Sequence, residues 1–304
     1  MSSPIKTIAL FGAENSLGEV FVREITDPRN SDLKLTALLL VDALPETLAA
    51  YLAQLDSPPA LLPVTPSDPS SLTQALAGID AVISTAGGTR QAAEMQLIEA
   101  ARSANVRLLV PSNYGPDISA PSNLSRPIFS AARQIEEALR DSGLAHILVC
   151  SGFFAEYFLT PMFDWNTKEC TAVVYADQKA SFTAIGDVAR YTVAAVRRYE
   201  EFSQGVLRIA AYTMTPADWV DAVERVTGRK VEVTRGQLDV LLAEAGADVE
   251  PPRDFEGTKR QMLAVLSTGG GLVNWGENEL DNTKFTDIVP APIDNYIKQA
   301  FASV

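Results

Sequence analysis

The chain alternates short apolar runs with stretches whose apolar residues return every three or four positions. Residues 5–11 (IKTIALF) form a near-continuous apolar run, the pattern of a strand buried on both faces of a parallel sheet. The run ends at Gly12, and a helix is predicted over 17–25, halted by Asp27-Pro28. The alternation continues with strands predicted over 35–41, 60–64, 81–85 (AVIST), 107–110 and 145–149. Between them fall helices over 45–55, 70–78, 91–104 and 125–141, with Pro45 suited to a first helical turn and Gly78 to a helix end. A helix between each pair of strands predicts an α/β fold with a doubly wound, Rossmann-like parallel sheet. Past about Gly152 the rhythm weakens. Residues 171–175 and 181–185 predict a hairpin around Ala176-Asp177-Gln178, followed by a helix over 187–199 and a strand over 206–209. A helix from Pro216, a strand over 231–233 and a helix from Gln237 complete the pattern, and Gly269-Gly270-Gly271 is read as an isolated loop. The expected division is a Rossmann-like dinucleotide-binding domain over 1–152 and a smaller α+β substrate domain over 153–304, with segments around 181–215 returning to the sheet.

Composition narrows the classes. Lys+Arg number 25 against 38 Asp+Glu, so the net charge is −13, which argues against a phosphate-tracking nucleic-acid binder or a binder of anionic membranes. A single histidine, His146, excludes any metal site needing two, and Cys150 and Cys170 have neither zinc-like nor disulfide-framework spacing, so no metal is expected. His146 opens the apolar run AHILV and reads as a satisfied core residue, with Cys150 a buried thiol on the same strand. No apolar run approaches the roughly 18–20 residues of a membrane span. The start, MSSPIKTIALFGA, lacks the charged and hydrophobic regions of a signal peptide, so the expected location is cytoplasmic.

The strand–glycine–helix passage over 5–24 is where a dinucleotide would bind, because free N–H groups and the helix dipole favour a pyrophosphate there. Its candidate contacts are Gly12, Ala13, Asn15, Ser16, Leu17 and Gly18, although the spacing of Gly12 and Gly18 alone fits any tight turn. Thr85, Ala86 and Gly87, and likewise Ser112 and Asn113, follow strands whose carboxyl ends border such a site; Ser84 joins them. Asp42 lies roughly 20 residues past the loop, where an acid binds the ribose 2′-hydroxyl of NAD; a helix cap or a solvated loop acid is an equal reading.

The loop GAENSLG, AVISTAGG, the helix QLIEAA at 96–101, LLVPSNYGPD, LVCSGFFAEYF, FTAIGDVARY and ELDNTKFTDIVP follow one another in the order of a known family. On them the chain resembles the NmrA-like and isoflavone-reductase-like branch of the atypical short-chain dehydrogenases/reductases. The resemblance implies a nicotinamide cofactor and a small-molecule substrate. It also implies that Phe154 packs beside the nicotinamide and that Tyr157 is the tyrosine of the family's FAGYF. Three positions depart from the family. Asn15 replaces the middle glycine of its loop, preceded by Glu14; no Lys or Arg occurs between Lys34 and Arg90, where an arginine commonly meets the 2′-phosphate of NADP; and Ala132 stands where the reductases carry a lysine. Asn15 tolerates a left-handed backbone, but its side chain would fill space where phosphate approaches, and Glu14 would repel a diphosphate unless it faced solvent. Arg133 is adjacent to Ala132 but stays charged and cannot readily shuttle a proton.

The cofactor is therefore read as NAD(H) or NADP(H), with NAD favoured on charge and a cofactor-free chain left open. Tyr114, in the SNYG loop, and Tyr157 are the candidate catalytic residues: Tyr114 for its phenol, against the alternative of a packed aromatic, and Tyr157 within the stripe Phe153, Phe154, Tyr157, Phe158, against core. Tyr175-x-x-x-Lys179 imitates a short-chain dehydrogenase pair off its helix and is read as accidental. Three functions stay open: an NAD(P)H-dependent reductase of a small aromatic or polyketide-like secondary metabolite, a redox-inactive cyclase, isomerase or lyase, and a dinucleotide-sensing regulator. A homo-oligomer is open too.

Overall fold

The computed structural model describes residues 3–41, 44–87, 90–202 and 205–302; Asp42, the candidate ribose acid, lies outside the described residues. Internal contacts divide the chain into two units: Met1–Asn113, Ala132–Val149 and Ala189–Leu207 form the first, and Tyr114–Ala131, Cys150–Val188 and Arg208–Val304 the second.

The chain begins with β1 (Thr7–Phe11), α1 (Ser16–Ile25), β2 (Lys34–Leu39), α2 (Glu46–Leu52), β3 (Ala60–Pro63), α3 (Pro69–Ala75), β4 (Ala81–Ser84), α4 (Gln91–Ser103) and β5 (Leu108–Val110). These strands form one parallel sheet in the order β3-β2-β1-β4-β5, the doubly wound arrangement that the helix–strand alternation predicts. β4 is buried throughout and β1 almost so, which is why both read as apolar runs, whereas β3 is exposed along its length and ends in Pro63, as suits an edge. Phe11, Leu38, Val82, Leu97, Ile98 and Leu109 pack in one core cluster between sheet and helices. Farther along come α5 (Ser130–Ser142) and β6 (Ile147–Cys150). A parallel bridge from Leu109 to His146 sets the approach to β6 beside β5, and His146 Nδ1 lies 3.0 Å from the Leu144 carbonyl.

The remaining elements are β7 (Phe153–Phe154), α6 (Ala155–Phe158), β8 (Trp165–Asn166), β9 (Thr171–Val174), β10 (Ala180–Thr183), α7 (Ile185–Arg197), α8 (Tyr199–Phe202), β11 (Gly205–Arg208), β12 (Tyr212–Met214), α9 (Pro216–Thr227), β13 (Glu232–Arg235), α10 (Leu238–Ala247), α11 (Phe255–Ser267) and α12 (Ile293–Ala302). β11 pairs with β6, whereas two small sheets, β12-β10-β7 and β13-β9-β8, belong to the second unit. The hairpin expected from 171–185 does not form. β9 instead pairs antiparallel with β8 and parallel with β13, and β10 lies between β12 and β7. The cause is a close approach that only glycine permits. Gly152 has φ +69, and a Cβ there would stand 2.1 Å from the Ser181 carbonyl oxygen, so β7 takes the edge of β10 that a hairpin would need. Gly152→Ala is expected to destabilise the chain by more than about 2 kcal/mol, a left-handed φ and backbone overlap both contributing, as read by chemical denaturation.

Gly269-Gly270-Gly271 is likewise packed rather than isolated: a Cβ on Gly271 would meet the Phe153 ring at 2.3 Å, and Gly270 accepts a hydrogen bond from Asn123 Nδ2. Beneath β10 the rings of Phe158, Phe182 and Trp219 sit 4.8–5.1 Å apart, centroid to centroid, in tilted and edge-to-face contact. No described helix is long and apolar enough to cross a membrane.

Candidate functional site

In the first unit, β1 lies between β2 and β4, so the turn after it sits where strand order reverses, the place where open α/β sheets hold ligands. Gly12 supplies the turn's left-handed residue, with φ +84. Asn15 does not, contrary to the expectation for it. Its backbone is extended (φ −88, ψ 170), because it caps α1: its Oδ1 accepts from the Gly18 N–H at 2.8 Å. Its Nδ2 donates to the carbonyls of Gly12 (2.8 Å) and Thr85 (2.7 Å). The side chain expected to fill the phosphate's space instead ties the turn after β1 to the turn after β4. Ser16 and Leu17, in the first turn of α1, have backbone N–H groups with no helical acceptor, the donors that an anion at a helix N-terminus uses.

Glu14 also departs from expectation, being buried and hydrogen-bonded rather than turned to solvent. Its Oε2 accepts from the Leu40 N–H at 3.2 Å and its Oε1 from Arg90 Nη1 at 2.6 Å. Gly18 allows the helix to press on the turn, since a Cβ there would lie 2.3 Å from the Gly12 carbonyl oxygen. The loop therefore fits a dinucleotide's pyrophosphate despite its departures from the family pattern.

The turn after β4 is held from below by Glu94, a buried α4 residue that the sequence reading missed. Ser84 Oγ donates to its Oε2 at 2.6 Å and the Ser112 N–H to its Oε1 at 3.0 Å, while the Gly87 N–H donates to Ser112 Oγ at 2.9 Å. Ser84 and Ser112 thus brace the strand ends. Thr85 also serves the turn, its hydroxyl lying 2.9 Å from the Gly12 carbonyl oxygen. Burial pushes the Glu94 carboxyl above its ordinary value of 4.5, the two hydrogen bonds opposing it. The folded state then holds a proton that the unfolded chain has released, so the contribution of Glu94 to stability falls as pH rises from about 4.5 through the raised value. Glu94→Gln is expected to flatten that slope in denaturation at stepped pH, and Glu94→Ala to cost about 1–3 kcal/mol by orphaning the Ser112 N–H and Ser84.

The second unit holds a cavity of about 570 Å³. One wall comes from Tyr114 and the turn after it, a second from Phe153, Phe154 and Tyr157, and a third from Met162 and Phe163. Phe255, Thr258 and Met262, at i, i+3 and i+7 of α11, close it. The aromatic stripe splits: Phe153 and Phe158 are core, while Phe154 and Tyr157 stand edge-to-face with centroids 5.8 Å apart. No described lining residue is charged. The Thr160 hydroxyl donates to the Tyr157 carbonyl (2.6 Å) and the Thr258 hydroxyl to the Asp254 carbonyl (2.8 Å); the other side-chain O–H groups among the described lining residues are the phenols of Tyr114 and Tyr157. Tyr114 is 7% exposed and Tyr157 44%.

Phe154 and the two tyrosines therefore share one cavity, and the loop and strand-end candidates share the first unit's sheet edge. Tyr175 lies apart from the cavity's lining residues, its OH donating to Asp164 Oδ2 at 3.1 Å, with Lys259 Nζ 2.5 Å from Asp164 Oδ1. Burial, then the Asp164 charge, pushes that phenol up to about 12. Among the described residues no group of three His, Cys, Asp or Glu could hold a metal ion.

The chain matches the family model described as the NmrA-like family over residues 4–250. It is 26% identical over 257 residues to phenylcoumaran benzylic ether reductase from Populus trichocarpa, covering 76% of this chain and 79% of that one. Its fold is similar to that of leucoanthocyanidin reductase from Vitis vinifera, solved as a binary complex with NADPH (TM-score 0.81, 17% identity, covering 97% of this chain and 99% of that one). It is equally close in fold to AtPrR2, solved with NADP+ and (+)pinoresinol (TM-score 0.80, 20% identity, 99% and 100% covered). With four-fifths of its length matched by the family model, this chain belongs to the NmrA-like family.

Proposed function

We propose that this protein is a nicotinamide-dependent reductase of a small, neutral, largely apolar molecule bearing an aromatic ring. The observation that carries the reading is the inward turn of Asn15, which leaves the Ser16 and Leu17 amides at the start of α1 open to an anion. The names of the relatives support it: the Populus trichocarpa protein is called a reductase, and the two similar folds were solved with NADPH and NADP+.

In this reading the backbone amides of Ser16 and Leu17 hold the pyrophosphate, while Gly12, Ala13, Asn15 and Gly18, whose N–H groups are bonded to Leu38, Gly12 and Asn15, shape the turn around it. Thr85, Ala86, Gly87, Ser112 and Asn113 border the same edge, braced by Glu94. The cofactor, when bound, supplies hydride. The substrate's ring lies against Phe154, in a cavity whose uncharged wall excludes water and selects a neutral molecule. Tyr114 donates the proton: it is buried, so its hydrogen bond to a substrate oxygen meets little competition from water. Tyr157, nearer to solvent, orients the ring.

A redox-inactive isomerase or cyclase has one observation in its favour, Ala132 in place of a lysine in α5. Following absorbance at 340 nm during incubation with NADPH or NADH and neutral aromatic substrates, (+)pinoresinol among them, separates the two readings; substrate turnover with no nucleotide oxidised would overturn the reductase.

A further inference from the structure

The end of the loop nearest β2 carries an ion pair whose members are unequally placed. Glu14 is the inner member, its side chain 5% exposed, and Arg90 the outer, at 36%. The carboxylate spans the Arg90 Nη1 (2.6 Å) and the Leu40 N–H just past β2 (3.2 Å). Because an arginine has five N–H donors in a fixed fork, Arg90 keeps most of them after bonding Glu14, and they are what the pair presents outward. In a doubly wound sheet the group past the second strand reads the adenosine ribose, an acid for a 2′-hydroxyl and an arginine for a 2′-phosphate. This chain has no arginine on β2 or the following turn, but Glu14 draws one to that place from the turn after β4.

We propose that Arg90, positioned by Glu14, binds the 2′-phosphate of NADP(H) and makes this chain select NADPH over NADH. The proposal rests on the dinucleotide reading above. It reverses the preference for NAD that the lack of Lys and Arg between Lys34 and Arg90 suggests, because the missing charge arrives from the far side of the loop.

Dissociation constants for NADPH and NADH, read by nicotinamide fluorescence on the purified full chain and its Arg90→Gln, Arg90→Lys and Glu14→Gln variants, test it. The expected result is tighter binding of NADPH by the unaltered protein, weakened about 10- to 100-fold in Arg90→Gln, with NADH changed less than about threefold. Arg90→Lys recovers part of the selectivity, keeping the charge and losing the fork. Glu14→Gln lowers the NADPH preference without weakening NADH, whereas a merely structural role for Glu14 would weaken both alike. Preference for NADH in the unaltered protein, or equal weakening of both nucleotides in Arg90→Gln, overturns the assignment while leaving the dinucleotide reading in place. Binding of neither nucleotide at millimolar concentration overturns both.

Discussion

Gly18→Ala is expected to weaken dinucleotide binding at least about 100-fold and to lower the melting temperature of the protein. The added Cβ would stand 2.3 Å from the Gly12 carbonyl oxygen and 2.8 Å from the Cα and C of Ala13. All three are backbone atoms, so no side-chain rotation relieves the overlap. Relief requires α1 to move off the turn, which pulls the Gly18 N–H from Asn15 Oδ1 and loosens the bonds from Asn15 to Gly12 and Thr85. Overpacking of this kind costs about 1–3 kcal/mol, and the displaced amides are those that a pyrophosphate would use. Thermal unfolding and nucleotide titration read the two effects separately. A variant that melts normally and binds within threefold of the unaltered protein would show that the loop does not hold the ligand.

Tyr114→Phe is expected to lower kcat about 100-fold or more while leaving nucleotide affinity unchanged, the size expected on losing a positioned proton donor. The Thr160 and Thr258 hydroxyls are committed to carbonyls and no described lining residue is charged, so among the described lining residues the other side-chain O–H is the outer phenol of Tyr157. Tyr157→Phe should cost less than about tenfold, since a 44% exposed phenol can be replaced by water. The order of the two effects is the informative outcome. A larger loss in Tyr157→Phe would move the donor to the cavity's outer phenol.

The parts of this fold written locally were legible in the sequence. β1 and β4 read as apolar runs because both their faces are covered, and α1 was marked at its start by the glycine turn and at its end by Asp27-Pro28. The pairing of β10 was not legible, because it depends on how closely Gly152 lets β7 approach Ser181, about 30 residues away, and no periodicity records a close approach. Tyr114, Phe154 and Tyr157, singled out from family motifs, line one cavity, whereas the wall from α11 was missed: Phe255, Thr258 and Met262 carry one polar residue among three and gave no distinct stripe.

Asn15 and Glu14 were judged by residue type. An amide and an acid in a phosphate loop read as defects until their partners are known, and those partners, Thr85 and Arg90, lie 70 and 76 residues on. The same two side chains turn from obstacles into the groups that shape the loop and place Arg90.

Calorimetric titration of the purified chain with NADPH and NADH tests the central claim, that this loop holds a nicotinamide dinucleotide. The account predicts saturable binding in the micromolar range with one nucleotide per chain, abolished in Gly18→Ala. No heat with either nucleotide at millimolar concentration, or binding that Gly18→Ala leaves intact, would contradict it.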